Sequence, residues 1–274
     1  VEDKVAKGTL LVRLGELREK AQDPGAAGEA YAEAATLSEN AKTWELAEKA
    51  FSTAERWQDA AQAIDSRAEL AAGDAKQQAV LFAKSAGLFA KAGDDASALA
   101  RLEQASELDP ANDEVFAEIE RRYVEDDRHD DLANLLLKRA DSVGDKEKRV
   151  ALRVRAAEIQ RDKLDNMEAA RESLMKVLDD GDDFGALSIL VDDAESREEY
   201  QDAASLLRRL AGVASDTPKK VEVRLREARL LSERLDDVDS AVARYESILS
   251  ELDAKHEESL AAIAELEERR DNPR

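Results

Sequence analysis

The stretch from Ala79 to Pro110 reads AVLFAKSAGLFAKAGDDASALARLEQASELDP, and its middle decides the fold. Gln78 to Lys91 is amphipathic at helical spacing, and Gly93-Asp94-Asp95 interrupts it. A second helical pattern then opens, with Ala98, Leu102 and Ala105 at i, i+4 and i+7, which is one buried stripe of an α-helix. Asp109-Pro110 closes it, because proline cannot continue a helix. The segment is helix, short turn, helix, with alanine where two helices approach.

The same opening recurs at Asp23-Pro24-Gly25-Ala26-Ala27, Leu164-Asp165-Asn166-Met167-Glu168-Ala169-Ala170 and Leu235-Asp236-Asp237-Val238-Asp239-Ser240-Ala241. Its closing alanines, Ala27, Ala98, Ala170 and Ala241, form a ladder with a step of about 71 residues, an internal repeat. Tyr31, Leu102, Leu174 and Tyr245 stand at i+4 from these alanines, and Ala34, Ala105, Val177 and Ile248 at i+7. A second series alternates with the first: Trp57, Arg128 and Tyr200 keep the same step, with Ile64, Leu136 and Leu207 in the large apolar place. The period is therefore half of that step, with alternate hairpins more alike than neighbours.

An amphipathic segment precedes each of these helices: Thr9 to Lys20, Lys42 to Glu55, Gln78 to Lys91, Glu114 to Val124, Val150 to Arg161, Gly185 to Ser196 and Val221 to Arg234. Clusters such as Ala72-Gly73-Asp74, Val143-Gly144-Asp145 and Asp180-Gly181-Asp182-Asp183 part the helices, and Pro24 and Pro218 suit helix starts. The pattern predicts seven hairpins at approximately 5–38, 41–71, 75–108, 113–143, 147–180, 184–214 and 219–251, and an unpaired helix at 257–269. This is an all-α chain: a right-handed α-solenoid expected to form one domain over residues 1–274. Each unit buries its neighbour's apolar face.

Composition agrees with a thin, extended core. Of the 274 residues, 38% are charged and 4% aromatic, and the formal charge is −22. The 43% apolar content with interspersed charge signs does not read as disorder. There is no cysteine, so no disulfide framework or thiolate chemistry. No run approaches a membrane span, and no signal-like segment opens the chain. Excess carboxylate argues against nucleic acid, which needs a basic stripe. The alanine, aspartate and arginine content reads as bacterial, and a cytoplasmic location is expected. The start at Val1 and the unpaired last helix read as a piece of a longer protein.

The third hairpin resembles the tetratricopeptide repeat (TPR) family through Phe82, Ala86 and Phe89, the turn Lys91-Ala92-Gly93-Asp94, then Ala98, Leu102, Ala105 and Pro110. Trp44, Ala47, Phe51, Trp57, Ala60 and Ile64 carry the likeness in the second hairpin, and Leu11, Leu14, Gly15, Ala27, Tyr31 and Ala34 in the first. Toward the C-terminus the turn glycine and closing proline are lost, and the fifth and seventh first helices run slightly long. The resemblance implies that first helices line a concave groove for a peptide or partner helix. Family members that clamp a chaperone's C-terminal carboxylate use lysines and asparagines on successive first helices. Here Val12, Glu16, Ala83 and Gly87 hold those places, so that clamp is not expected.

No constellation points to catalysis, a metal or a cofactor. His129 and His256 lack converging ligands, and the run Asp179 to Asp183 lacks the spacing and distal glutamate of a calcium loop. Gly25-Ala26-Ala27-Gly28 carries no following Lys-Ser or Lys-Thr. Trp44, Phe51, Trp57, Phe82 and Phe89 sit on buried stripes and read as core knobs.

The first-helix positions not consumed by packing are Arg13, Glu16, Lys20, Lys49, Lys84, Lys91, Glu118, Arg121, Arg155 and Arg226. Several are basic in an acidic chain, which points to a groove for an acidic protein segment; ordinary i to i+4 pairing with nearby glutamates is the alternative. The expected function is a non-catalytic protein-interaction module or scaffold, monomeric or weakly self-associating, with no cofactor. A structural spacer or self-assembling scaffold, or the regulatory or targeting arm of a larger enzyme, are the rival readings.

Overall fold

The computed structural model describes residues 2–271. These hold fifteen α-helices and no strand: α1 Glu2–Lys20, α2 Pro24–Ser38, α3 Ala41–Thr53, α4 Trp57–Leu70, α5 Ala75–Lys91, α6 Asp95–Leu108, α7 Asp113–Glu125 and α8 His129–Ser142 in the first of two compact units, which ends at Ser142. The second unit, from Val143, holds α9 Lys146–Asp162, α10 Met167–Asp180, α11 Phe184–Ser196, α12 Tyr200–Val213, α13 Thr217–Glu233, α14 Val238–Glu251 and α15 Glu257–Asp271. Within each unit every helix packs on the next. The fold is an all-α helical-repeat solenoid.

The turn inside each hairpin places one residue in the left-handed region. Gln22, Glu55, Gly93, Asp127, Asp165, Glu198 and Asp236 all have positive φ, between 50° and 76°. The next residue's N–H then closes a C-terminal cap on the first helix: Asp23 to the Arg18 carbonyl, Arg56 to Phe51, Asp94 to Phe89, Arg128 to Tyr123 and Glu199 to Ala194, at 2.8 to 3.0 Å. In the fifth and seventh hairpins the corresponding bonds reach one residue further back, from Asn166 to Gln160 and from Asp237 to Leu231. α9 and α13, expected to run long, are 17 residues each, the length of α5, and the extra residue lies in the turn instead.

Capping explains why alternate hairpins differ. Asp23, Asp94, Asn166 and Asp237 each accept a hydrogen bond from the N–H three residues on, at 3.0 to 3.1 Å. Arg56 and Glu199 open α4 and α12 without such a bond. Arg56 instead reaches Asp59 in the first helical turn at 2.6 Å, as Arg128 reaches Asp131 at 2.7 Å.

The core is a string of small clusters at helix interfaces. Ala27, Tyr31, Ala47, Phe51 and Ala60 make one in the first unit; Leu187, Leu207, Ala228 and Tyr245 belong to one in the second. The ladder Ala27, Ala98, Ala170 and Ala241 is fully buried. A matching ladder on the first helices, Gly15, Ala86, Ala157 and Ala228, keeps an equal step throughout and is also buried. At Gly15 a Cβ would clash with the Tyr31 ring, and at Gly28 with that of Phe51. The large residue at one place requires the small one at the other.

The even hairpins fill the first-helix place differently. Glu48 on α3 is buried and takes Arg67 of α4 and Lys84 of α5. Four hairpins on, Val191 and Leu210 occupy the places of Glu48 and Arg67, both buried. One site in the repeat is therefore solved once with an ion pair and once with aliphatics.

Candidate partner-binding surface

Four of the first-helix residues singled out by sequence form a ladder of their own. Arg13, Lys84, Arg155 and Arg226 are equally spaced along the chain, one on each of α1, α5, α9 and α13. Their step is that of the packing ladders, so the same helix face comes to the surface each time. All four keep substantial solvent exposure.

Each ladder position meets different company. Lys84 crosses to Glu48 on the preceding first helix. Arg226 does likewise in the second unit, with Nε 2.9 Å from Glu195 and a terminal nitrogen 2.7 Å from both Glu195 and Asp192. Those hydrogen bonds, Glu195 first, hold the Arg226 guanidinium's pKa above its ordinary value. Arg13 folds back onto Glu16 of its own helix at 3.0 Å. Arg155 lies exposed on α9.

Lys20 and Lys91 also share a repeat position, in the last turns of α1 and α5, where a cation is favoured by the helix dipole. Lys91 places Nζ 5.1 Å from the Trp57 ring. Lys49 is exposed on α3. Glu118 and Arg121 form a closed cluster on α7: Arg121 spans Glu118 at 2.7 Å and Glu125 at 2.6 Å, and Arg122 gives Glu118 a further bond at 2.9 Å. The Arg121 hydrogen bond leads in holding the Glu118 carboxyl below the usual range.

In the first unit, then, α5 joins Lys84 and Lys91 on one strip and ties it to α3 through Glu48, whereas Glu118 and Arg121 satisfy each other. Sequence reading missed what shares the strip with the lysines. Val80 is 62% exposed and Gly87 has open space where a Cβ would be. Val80, Lys84, Gly87 and Lys91 follow i, i+4, i+7, i+11, which is a single stripe. That spacing was available in the sequence.

Among the described residues no three His, Asp or Glu side chains come together as a metal site. Asp183 caps α11 through the Ala186 N–H at 2.8 Å, and Asp182 takes Arg209. No described helix is long and apolar enough to cross a membrane.

No protein-family model and no curated protein sequence matches the chain. Solved structures do. The C-terminal part of a TPR repeat-containing protein from Cytophaga hutchinsonii is 16% identical, with 92% of this chain and 99% of that one covered at TM-score 0.39. PilF of Pseudomonas aeruginosa is 14% identical over 97% and 99%, at 0.37, and the TPR2AB domain of yeast Sti1, in complex with an HSP90 peptide, is 14% identical over 97% and 99%, at 0.30. By its own hairpins, turns and small-residue ladders, the chain is a tetratricopeptide-like helical-repeat protein.

Proposed function

We propose that the chain is a non-catalytic protein-interaction module whose first-helix face in the unit ending at Ser142 takes an acidic segment of a partner protein. The observation that carries this reading is the α5 stripe. AKQQAVLFAKSAGLFAK contains three lysines and no acid, in a chain of formal charge −22. Its exposed side alternates cation with uncovered backbone: Lys84 and Lys91 flank the open Gly87, and Val80 offers an apolar seat. Lys49 on the neighbouring α3 adds a further exposed cation. A partner carboxylate gains the lysines without burying a charge of its own, so recognition is fast and salt-sensitive.

The test is a titration of a partner captured on the immobilised chain, with its bound segment made as a peptide. Lys84→Glu with Lys91→Glu is expected to weaken binding about tenfold. Arg121→Glu is expected to matter less, because Arg121 is already held by Glu118 and Glu125. Glu48→Gln, which frees Lys84, is expected to tighten binding. Unchanged affinity in the double lysine variant rejects this face.

A further inference from the structure

The second, fourth and sixth hairpins share a place that two of them fill with a ring and the third leaves open. The N–H groups of Arg56, Arg128 and Glu199 close their caps on the carbonyls of Phe51, Tyr123 and Ala194, so these three stand at one repeat position. Phe51 and Tyr123 are buried, with the Arg56 guanidinium 4.8 Å from the first ring and that of Arg128 4.4 Å from the second. Each arginine is held in turn by the aspartate three residues on, Asp59 or Asp131. In the sixth hairpin both members of this stack are gone: Ala194 replaces the ring and Glu199 the arginine. Asp202, the counterpart of Asp59 and Asp131, is left without an ion-pair partner among the described residues. The neighbouring arginines are taken, Arg171 by Asp193 and Arg197 by Asp193 and Glu199.

The space is not refilled from within. Met175 of α10, Leu190 and Ala194 of α11 and Leu206 of α12 line a groove of about 260 Å³, and Met175 stays 52% exposed. The equivalent groove between α6 and α8, about 440 Å³, is wider, but there Tyr123 supplies the ring, and Glu103, Glu107, Lys138 and Asp141 make the rest polar. A volume below the roughly 300–1,000 Å³ of drug-sized ligand sites suits a single side chain. The lining favours an aromatic one, since the methionine thioether attracts rings and its flexible chain moulds to them. Charge narrows the occupant further. Glu199 and Asp202 both line the groove, and only Glu199 has an arginine. A cation carried beside the incoming ring therefore restores what Arg56 and Arg128 supply in the other two hairpins.

We infer that the groove over Ala194, between α10 and α12, is a receptor for one aromatic side chain of a partner protein, carried on a basic segment. The partner provides the ring and the cation that the second and fourth hairpins hold within themselves. The site uses none of the α5 lysines and stands independently of the face proposed for an acidic segment.

The chain has two methionines, which makes the test direct. With methionine isotopically labelled at the methyl carbon, Met175 reports the groove by magnetic resonance, and Met167, which does not line it, is the internal control. The probes are the capped peptides Gly-Arg-Tyr-Arg-Gly, Gly-Arg-Ala-Arg-Gly and Gly-Glu-Tyr-Glu-Gly. The first is expected to move the Met175 methyl upfield through the ring current and to saturate at roughly millimolar concentration, the strength of one anchored side chain. The Met167 methyl should stay in place. The alanine peptide should move neither signal, and the glutamate peptide should bind about tenfold more weakly than its arginine counterpart. Ala194→Phe, which puts back the ring, should abolish the shift. Asp202→Lys changes only an exposed residue, and should weaken the arginine peptide about threefold with circular dichroism unchanged. No Met175 shift at about 10 mM of the first peptide, an equal response to the alanine peptide, or equal affinity for the glutamate peptide would each overturn the inference. So would a folded Ala194→Phe chain that still responds, or Asp202→Lys binding as tightly as the wild type.

Discussion

At the scale of single residues, the turn inside each hairpin sets a conformational demand that the sequence meets unevenly. Seven turns place one residue at positive φ, and only Gly93 among the seven is glycine. A side chain in the left-handed region costs about 1 kcal/mol through the clash of Cβ with the carbonyl. Gly93→Ala is expected to destabilise the chain by about 1 kcal/mol, and Gln22→Gly or Glu198→Gly to stabilise it by a few tenths up to 1, since glycine's added freedom in the unfolded chain offsets part of the gain. Urea midpoints at constant slope read all three, and a stabilised Gly93→Ala would show that the turn is not held left-handed. Gly93-Asp94 was legible as a turn because glycine marks it. The other six positions carry Gln, Glu and Asp, which have no such mark, and only their common spacing betrays them.

At the scale of the element, the even hairpins test how much a buried ion pair contributes. Glu48 with Arg67, and the Val191 and Leu210 that stand in their repeat places, are two solutions to one packing problem. Breaking such a pair from one side strands a desolvated charge, at about 3–5 kcal/mol when burial is deep, whereas replacing both partners with aliphatics is neutral or favourable. Arg67 keeps 17% of its side chain exposed, so the single loss shrinks to about 1–3 kcal/mol. Glu48→Val alone is expected to cost that much and Glu48→Val with Arg67→Leu close to nothing, a coupling that a double-mutant cycle in urea measures. Additive costs would contradict the equivalence of the two hairpins.

The seventh hairpin holds a more deeply buried carboxylate, Glu227 on α13, with no exposed surface. Arg244 Nε stands 2.8 Å from it and Arg208 Nε 3.4 Å, yet neither carboxylate oxygen accepts an aligned hydrogen bond. Burial pushes its pKa above the ordinary 4.5, with Arg244 and then Arg208 opposing. A carboxyl whose folded pKa is raised binds its proton more tightly when folded, so the folded state loses stability as pH rises from 4.5 through the raised value. The stability of the wild type relative to Glu227→Gln is therefore expected to fall over that window, and a flat difference between the two would remove the linkage. Glutamate at this place broke the small-or-apolar rule of the repeat, but what surrounds it depends on α12 and α14, which no spacing within α13 reports.

At the scale of the whole molecule, stability in a repeat array is a sum of nearest-neighbour interfaces, so damage should stay local. Helix α15 lays Leu266, Ala262 and Ile263 on the cluster that holds Tyr245 and Ile248 of α14. Ending the chain after Leu252 is expected to cut amide protection in α13 and α14 by at least tenfold, and to leave α1 to α4 as slow to exchange as before. Uniform loss across all helices would mean that the chain unfolds as one body instead. The hairpin repeat itself was determined by the sequence alone, because helix periodicity, capping residues and evenly stepped alanine ladders are local or nearly local signals. The basic ladder of Arg13, Lys84, Arg155 and Arg226 was present in the sequence too, as spacing. What only the tertiary structure decided is how such surface positions are used. Lys84 reaches across to Glu48, Arg226 is held by Glu195 and Asp192, and Arg121 is closed off on its own helix. Ion pairing and burial depend on side chains from different helices meeting within a few ångströms, and that meeting is a property of packing, not of period.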